Sequence, residues 1–195
     1  VERGRLLVAA PLLSDPNFER TVVLIVEHDG DGTVGLVLNR PSSIPVVEAV
    51  ASWVVVTSLA PPAVIFGGGP VAPDVAMGLG RVRHQPPLVG DVGLVDLGAQ
   101  PGQPPASDEP GRSGRPARPG GEGDPDHPMR LFAGYAGWGP SQLSDELDAG
   151  AWYVVDAEES DVLSPQPSVL WRQVLRRQRS ALRMLAAFPP DPSNN

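Results

Sequence analysis

The chain of 195 residues has no cysteine, no lysine and only three histidines. Without cysteine there is no thiol nucleophile, disulfide, iron–sulfur cluster or cysteine-based zinc site. Without lysine there is no Schiff base and no Walker-type phosphate lysine. Aromatic residues make up only 5% of the chain. No apolar run approaches the roughly 18–20 residues that span a bilayer. The charged start, Val1-Glu2-Arg3-Gly4-Arg5, leads into no signal-like apolar segment. The expectation is a cytoplasmic, soluble, single-domain protein spanning 1–195, long enough to bury a core without covalent staples.

What the chain has in excess is proline and glycine, 24 and 22 residues, concentrated between Ala99 and Pro128. That stretch carries three alanines as its only apolar side chains, so burial cannot offset its ordering entropy. It is expected to be a disordered insertion at 99–128. The formal net charge of −8 opposes broad nucleic-acid binding, because phosphate contacts require compensating cations.

Outside the insertion the pattern is regular. Arg5–Ala10 reads as a strand, and Thr21–His28 as a strand buried on both faces. Asp29-Gly30-Asp31-Gly32 then predicts an antiparallel hairpin with Thr33–Asn39. Val46–Trp53 reads as a helix. Ala63–Phe66, Val75–Val82, Val92–Leu97 and Arg130–Tyr135 read as further strands. Pro140 is expected at the first position of a helix that Gly150 closes, followed by a strand over Ala151–Val155. Trp171, Val174, Leu175, Leu182 and Leu185 recur at helical spacing and predict one final helix over Ser168–Phe188. Strands come in runs, which favours an α+β fold with a mixed sheet.

Five constellations bear on chemistry. Glu27–Gly32 imitates the start of a calcium loop, but Leu38 stands where a bidentate Glu is required, so the hairpin reading prevails. His28, His84 and His127 show no metal-ligand spacing, and no G-x-S-x-G elbow presents a nucleophilic serine; no metal and no cofactor are expected. Gly67-Gly68-Gly69-Pro70 follows a strand, where its backbone N–H groups serve either a close-packed turn or an anion. Asn39 and Arg40 end another strand, where Arg40 either clamps a carboxylate or phosphate or caps a loop. Tyr135 and Trp138 mark a strand-to-helix junction, as structural anchors or as stacking surfaces. Asn39, Arg40, Gly67, Gly68, Gly69, Tyr135 and Trp138 are expected to form one ligand- or partner-binding site, by analogy with the strand ends of open sheets. Arg172, Arg176, Arg179 and Arg183 form a stripe on the last helix, either solvated or a docking face for an acidic partner.

Taken in order, Gly4–Pro41 (GRLLVAAPLLSDPNFERTVVLIVEHDGDGTVGLVLNRP), FGGGPV (Phe66–Val71), GYAGWGPSQLSDEL (Gly134–Leu147) and LWRQVLRRQ (Leu170–Gln178) resemble the AlgH/YqgE family of bacterial proteins, actinobacterial members most closely. The resemblance implies an α+β fold whose mixed sheet curls into a barrel-like core with helices around part of it. It carries over no catalytic residue. Members are commonly labelled transcriptional regulators, although they resemble no DNA-binding module. Ser141 departs from the family, which often has Gly there. The function expected is a non-enzymatic regulatory or protein-interaction role. A binder of a small anionic ligand, with or without weak hydrolase-type chemistry, is the alternative, and a DNA-binding regulator is the third reading. A protein partner is expected, while the oligomeric state is not legible.

Overall fold

Nine strands and five short helices alternate through the computed structural model, which describes residues 1–49, 58–82, 85–95, 97, 128–179 and 181–189. One half of the sheet is antiparallel: β9 (Trp152–Asp156), β1 (Arg5–Ala9), β2 (Val22–Asp29) and β3 (Gly32–Val37), in that order. The other half holds β4 (Pro41–Pro45), β5 (Val64–Gly67), β6 (Val71–Arg81) and β7 (Val92–Val95). Strand β8 (Arg130–Trp138) belongs to both. Its C-terminal part pairs antiparallel with β3, and its N-terminal part lies parallel to β5 and antiparallel to β6. The fold is α+β with a mixed sheet, as expected, and the sheet is not closed into a barrel. Among the described residues β4, β7 and β9 each pair on one side only.

Gly134 explains how one strand serves two half-sheets. Its φ of 70° is left-handed, a conformation that costs any residue with a Cβ. Side-chain parity inverts there: Phe132 and Tyr135 face the larger core, whereas Ala136 and Trp138 face a second one. The larger core packs Leu6, Val8, Leu24, Leu36 and Phe66 against Val162, Trp171, Val174 and Leu175. These last four come from α3 (Glu159–Val162) and α4 (Leu170–Arg176). The second core packs Leu7, Val23, Ile25 and Trp152 with Leu143 of α2 (Gln142–Asp148) and with Phe18. The strands β1 and β2 are therefore buried on both faces, which is why they lack polar alternation.

The β2–β3 hairpin forms as predicted, with Asp29 Oδ1 accepting the Asp31 and Gly32 N–H groups at 2.8 and 3.2 Å. The helix α1 (Val46–Ala49) starts where expected, and the rest of that predicted helix lies outside the described residues. So does the expected insertion at 99–128, except for Pro128. Two expectations fail. Pro140 does not occupy the first turn of α2, because Ser141 caps that helix from a left-handed conformation of φ 62°. The single final helix is instead a 3-10 turn (Pro167–Val169), α4, and α5 (Leu182–Leu185). At the end of α4 the Gln178 side-chain amide donates to Val174 O at 2.8 Å, while its backbone N–H turns to Leu175 O. The side chain thereby takes the acceptor that the next helical N–H would have used.

Arg130 opens β8 and is 1% exposed. It meets no carboxylate among the described residues. Its guanidinium donates to Pro61 O and Ser164 O, both at 2.8 Å, and to Val162 O at 3.1 Å. It also lies over the Phe66 ring, 4.3 Å from the centroid. Burial pushes its pKa down to about 10, so the cation persists at neutral pH and its charge is met by carbonyl dipoles and a π face. One side chain thus joins β8, the Pro61 turn and the loop between α3 and α4.

Two substitutions test these points. Arg130→Lys keeps the charge but cannot span three carbonyls with a planar fork. It is expected to lower unfolding free energy by about 3 kcal/mol, read by urea denaturation; an unchanged midpoint contradicts the clamp. Ser141→Gly relieves a left-handed residue whose side chain makes no capping hydrogen bond. It is expected to raise stability by about 0.5–1 kcal/mol, and a loss contradicts the strain.

Candidate functional site

Asn39 and Arg40 follow β3 and meet the segment that enters β2. The Asn39 side chain is fully engaged there: Oδ1 accepts the Val22 N–H and Nδ2 donates to Arg20 O, both at 2.9 Å. Asn39 is a clamp between two strand ends, with one acceptor site and one N–H of its amide committed to the backbone. Arg40 divides its roles. Its carbonyl accepts the Gly67 N–H at 2.8 Å, while its exposed side chain makes one bond, Nη2 to Glu19 O at 2.7 Å.

The glycine run is consumed by the sheet. The Gly68 N–H donates to Ala133 O and its carbonyl accepts the Val37 N–H, both at 2.9 Å, so this peptide bridges β8 and β3. A Cβ at Gly68 would fall on the Gly134 carbonyl, and one at Gly69 on the Tyr135–Ala136 peptide. Of the two readings of this turn, the close-packed one accounts for Gly67 and Gly68, whose N–H groups point into the sheet and not toward an anion.

The structure brings Asn39, Arg40, Gly67, Gly68, Gly69 and the backbone of Tyr135 into one neighbourhood, and it sends Trp138 elsewhere. Tyr135 is half-buried against the larger core. Trp138, 4% exposed, lies in the second core beyond the parity switch at Gly134. There its indole N–H and that of Trp152 donate to Glu146 Oε2, at 3.0 and 2.7 Å. Phe18 packs on both rings, with centroids 5.9 and 5.4 Å away. Trp138 anchors α2 to the sheet and does not share the Arg40 surface.

Two arginines that the sequence reading did not join to this corner lie beside it. Arg20 has φ 52°, and its guanidinium sits 4.7 Å from the centroid of the Trp171 ring. It donates to Phe188 O at 3.1 Å and also to Pro189 O. Burial lowers its pKa, the nearby Arg172 lowers it further, and Glu19 opposes the shift. Arg172 and Arg176 occupy one flank of α4 and form no ion pair among the described residues. The opposite flank is neutralised: Arg177 grips Asp161 in a bidentate pair at 2.5 and 2.6 Å, with Glu158 at 3.4 Å. Of the stripe predicted over Arg172, Arg176, Arg179 and Arg183, only Arg172 and Arg176 share α4; Arg179 lies between α4 and α5, and Arg183 lies on α5. The nearness of Arg172 to Arg20 depends on tertiary packing.

Two further places have chemical character. A pocket of about 360 Å³ is lined by Ser160, Ser164, Gln166 and Gln173 together with the Arg177–Asp161 pair. Its charged groups are already spent on one another. His28 Nδ1 and Thr33 Oγ1 are 2.7 Å apart across the hairpin, but Thr33 is 4% exposed and its hydroxyl is not presented to a substrate. No group of three or more metal-ligating side chains occurs among the described residues, and no described helix is long and apolar enough to cross a membrane.

Comparison with known proteins gives a consistent result. A family model described as AlgH-like matches residues 6–183. A UPF0301 protein of Streptomyces coelicolor is 47% identical over 98% of this chain and 94% of its own length. A UPF0301 protein of Mycobacterium avium is 40% identical over 100% and 92%. Among solved structures, the crystal structure of a Corynebacterium diphtheriae protein superposes with a TM-score of 0.74 at 30% identity, covering 96% of this chain and 95% of that one. The solution structure of AlgH from Pseudomonas aeruginosa gives 0.61 at 28% identity, covering 94% and 92%.

The corner makes a divided prediction. Asn39→Ala leaves the Val22 N–H and the Arg20 carbonyl without partners and is expected to cost about 1–3 kcal/mol. Arg40→Ala removes one exposed bond and is expected to shift stability by no more than about 0.5 kcal/mol. Denaturation midpoints that reverse this order contradict the assignment of clamp and surface roles.

Proposed function

The chain belongs to the AlgH-like family, and from that premise we propose that it is a cytoplasmic, non-enzymatic regulatory protein that works by binding another protein. The observation that carries this reading is the state of its arginines. Arg40, Arg172 and Arg176 present guanidinium groups without carboxylate partners among the described residues, in a chain whose formal charge is −8. An acid-rich protein offers many internal partners for a surface arginine. Leaving several unpaired on one side keeps their charge available for recognition between molecules. The supporting scaffold is stiff: Asn39 and the Gly68 peptide tie the strands beneath Arg40 together, which limits the ordering cost of binding.

A small anionic ligand is the second reading. Its support is the seat of Arg20 on the Trp171 ring, the neighbour in sequence of Arg172, which sets two half-buried like charges near one another, an arrangement that a carboxylate or phosphate would relieve. The net negative charge counts against a DNA-binding role.

Quantitative affinity capture from a host lysate, comparing the chain with its Arg40→Glu form, tests the proposal. The expected result is a reproducible set of retained proteins that falls at least threefold with Arg40→Glu, with the melting temperatures of the two forms matching. Identical captures by both forms contradict it.

A further inference from the structure

We infer, resting on the interaction reading above, that Arg20, Arg40, Arg172 and Arg176 form one strip that docks a carboxylate-rich segment of a partner protein. The strip is continuous through Glu19–Arg20: Arg40 bonds the Glu19 carbonyl, Arg20 stacks on Trp171, and Arg172 is close enough to act on Arg20 electrostatically. Arg176 follows Arg172 by one helical turn on α4. Among the described residues, Glu19 is the only carboxylate that opposes the Arg20 shift. Every other described ion-paired arginine is held elsewhere, Arg5 by Asp156, Arg81 by Asp91 and Glu159, and Arg177 by Asp161 and Glu158.

The mounting of the strip is rigid. The Trp171 indole N–H donates to Ala9 O at 2.9 Å and fixes α4 on β1. Arg20 is held by the Phe188 and Pro189 carbonyls. Guanidinium forks match carboxylate geometry, and the fixed base confines the loss of freedom on binding to the side chains.

Spacing favours a peptide. Arg172 and Arg176 rise about 6 Å apart along the helix. Alternate residues of an extended segment repeat at about 6.5–7 Å, so acidic side chains at i and i+2 meet both. Val169, one turn earlier on the same flank and 38% exposed, offers an apolar foothold beside them. Charge distribution disfavours a nucleic acid. A duplex extends beyond the strip toward Asp156, Glu158 and Asp161, which gather around Arg177 on the other flank of α4, whereas a short acidic segment stays within the positive field, whose reach is about 8 Å at physiological salt.

Fluorescence anisotropy with a labelled twelve-residue peptide of alternating Glu and Ser tests the inference on the full chain. At low salt the chain is expected to bind it, with affinity falling steeply toward 0.15 M salt. Each removed charge is expected to weaken binding about two- to fivefold, and Arg172→Glu with Arg176→Glu by tenfold or more. Arg3→Glu, an exposed control, is expected to change nothing. Absence of salt-sensitive binding overturns the inference. So does full displacement of the peptide by millimolar inorganic phosphate, which marks a small-anion site, or tighter binding of a 20-base-pair duplex lost in the same variant, which marks a nucleic-acid surface. If the peptide fails while Arg40→Glu still depletes captured proteins, the carboxylate assignment falls and the interaction reading stands; if both fail, both fall.

Discussion

Arg130 is a full positive charge in the interior with no counter-ion among the described residues, and the architecture is arranged around satisfying it. Its three acceptors come from the Pro61 turn, the last residue of α3 and the loop after it, and the face of Phe66 closes a fourth direction. Its Nε–H finds no acceptor among the described residues, so the arrangement carries a residual cost. A charge buried this way is tolerated only where the surrounding dipoles stay in place. Movement of the Pro61 turn or of the loop after α3 strands both the cation and the carbonyls. That constraint ties the start of β8, the strand shared by both half-sheets, to the loop that leads into α4.

The placement of the proposed docking strip follows from this clamp. The segment that gives Val162 O and Ser164 O to Arg130, the end of α3 and the loop after it, leads through the 3-10 turn into α4, so the same clamp helps set where Arg172 and Arg176 lie. Asp161, immediately before Val162, takes the other flank of α4 by gripping Arg177, whose pKa rises because hydrogen bonding and charge from Asp161, then Glu158 and Asp156, outweigh burial. The arginines therefore divide into two populations. Arg130 and Arg177 spend their charges on protein acceptors and hold the fold. Arg40, Arg172 and Arg176 are held by their backbones and leave their charges outward. Arg20 belongs to both, spending part of its fork on the Phe188 and Pro189 carbonyls while sharing a like-charged neighbourhood with Arg172.

The strands and the hairpin were legible because their signals are local. β-branched runs mark β2 and β3, Asp29 caps the turn, and Gly150, at φ 74°, closes α2 with the paired backbone bonds of a helix end. The break between α4 and α5 was invisible because the apolar spacing from Leu175 to Leu182 suits one helix as well as two. The burial of Arg130 left no mark either, since an arginine opening a strand reads as a surface residue. The geometry of the candidate site was half legible. The corner at Asn39 and Arg40, the glycine run and the Tyr135 backbone do meet, but the reversal of strand parity at Gly134 carries Trp138 into the opposite core. Only a left-handed glycine distinguishes that outcome, and a glycine in sequence does not announce its φ.

The claim on which the account rests is that these two arginine populations exist and that only the outward one binds. Arginine Nε–Hε NMR spectra, recorded on the full chain during titration with an acidic peptide, measure this directly. The account predicts slow hydrogen exchange and unmoved resonances for Arg130 and Arg177 throughout. For Arg40, Arg172 and Arg176 it predicts fast exchange in the free chain, with shifted, protected resonances once the peptide is bound. Rapid exchange at Arg130, or peptide-induced shifts spread evenly over all fifteen arginines, would contradict it.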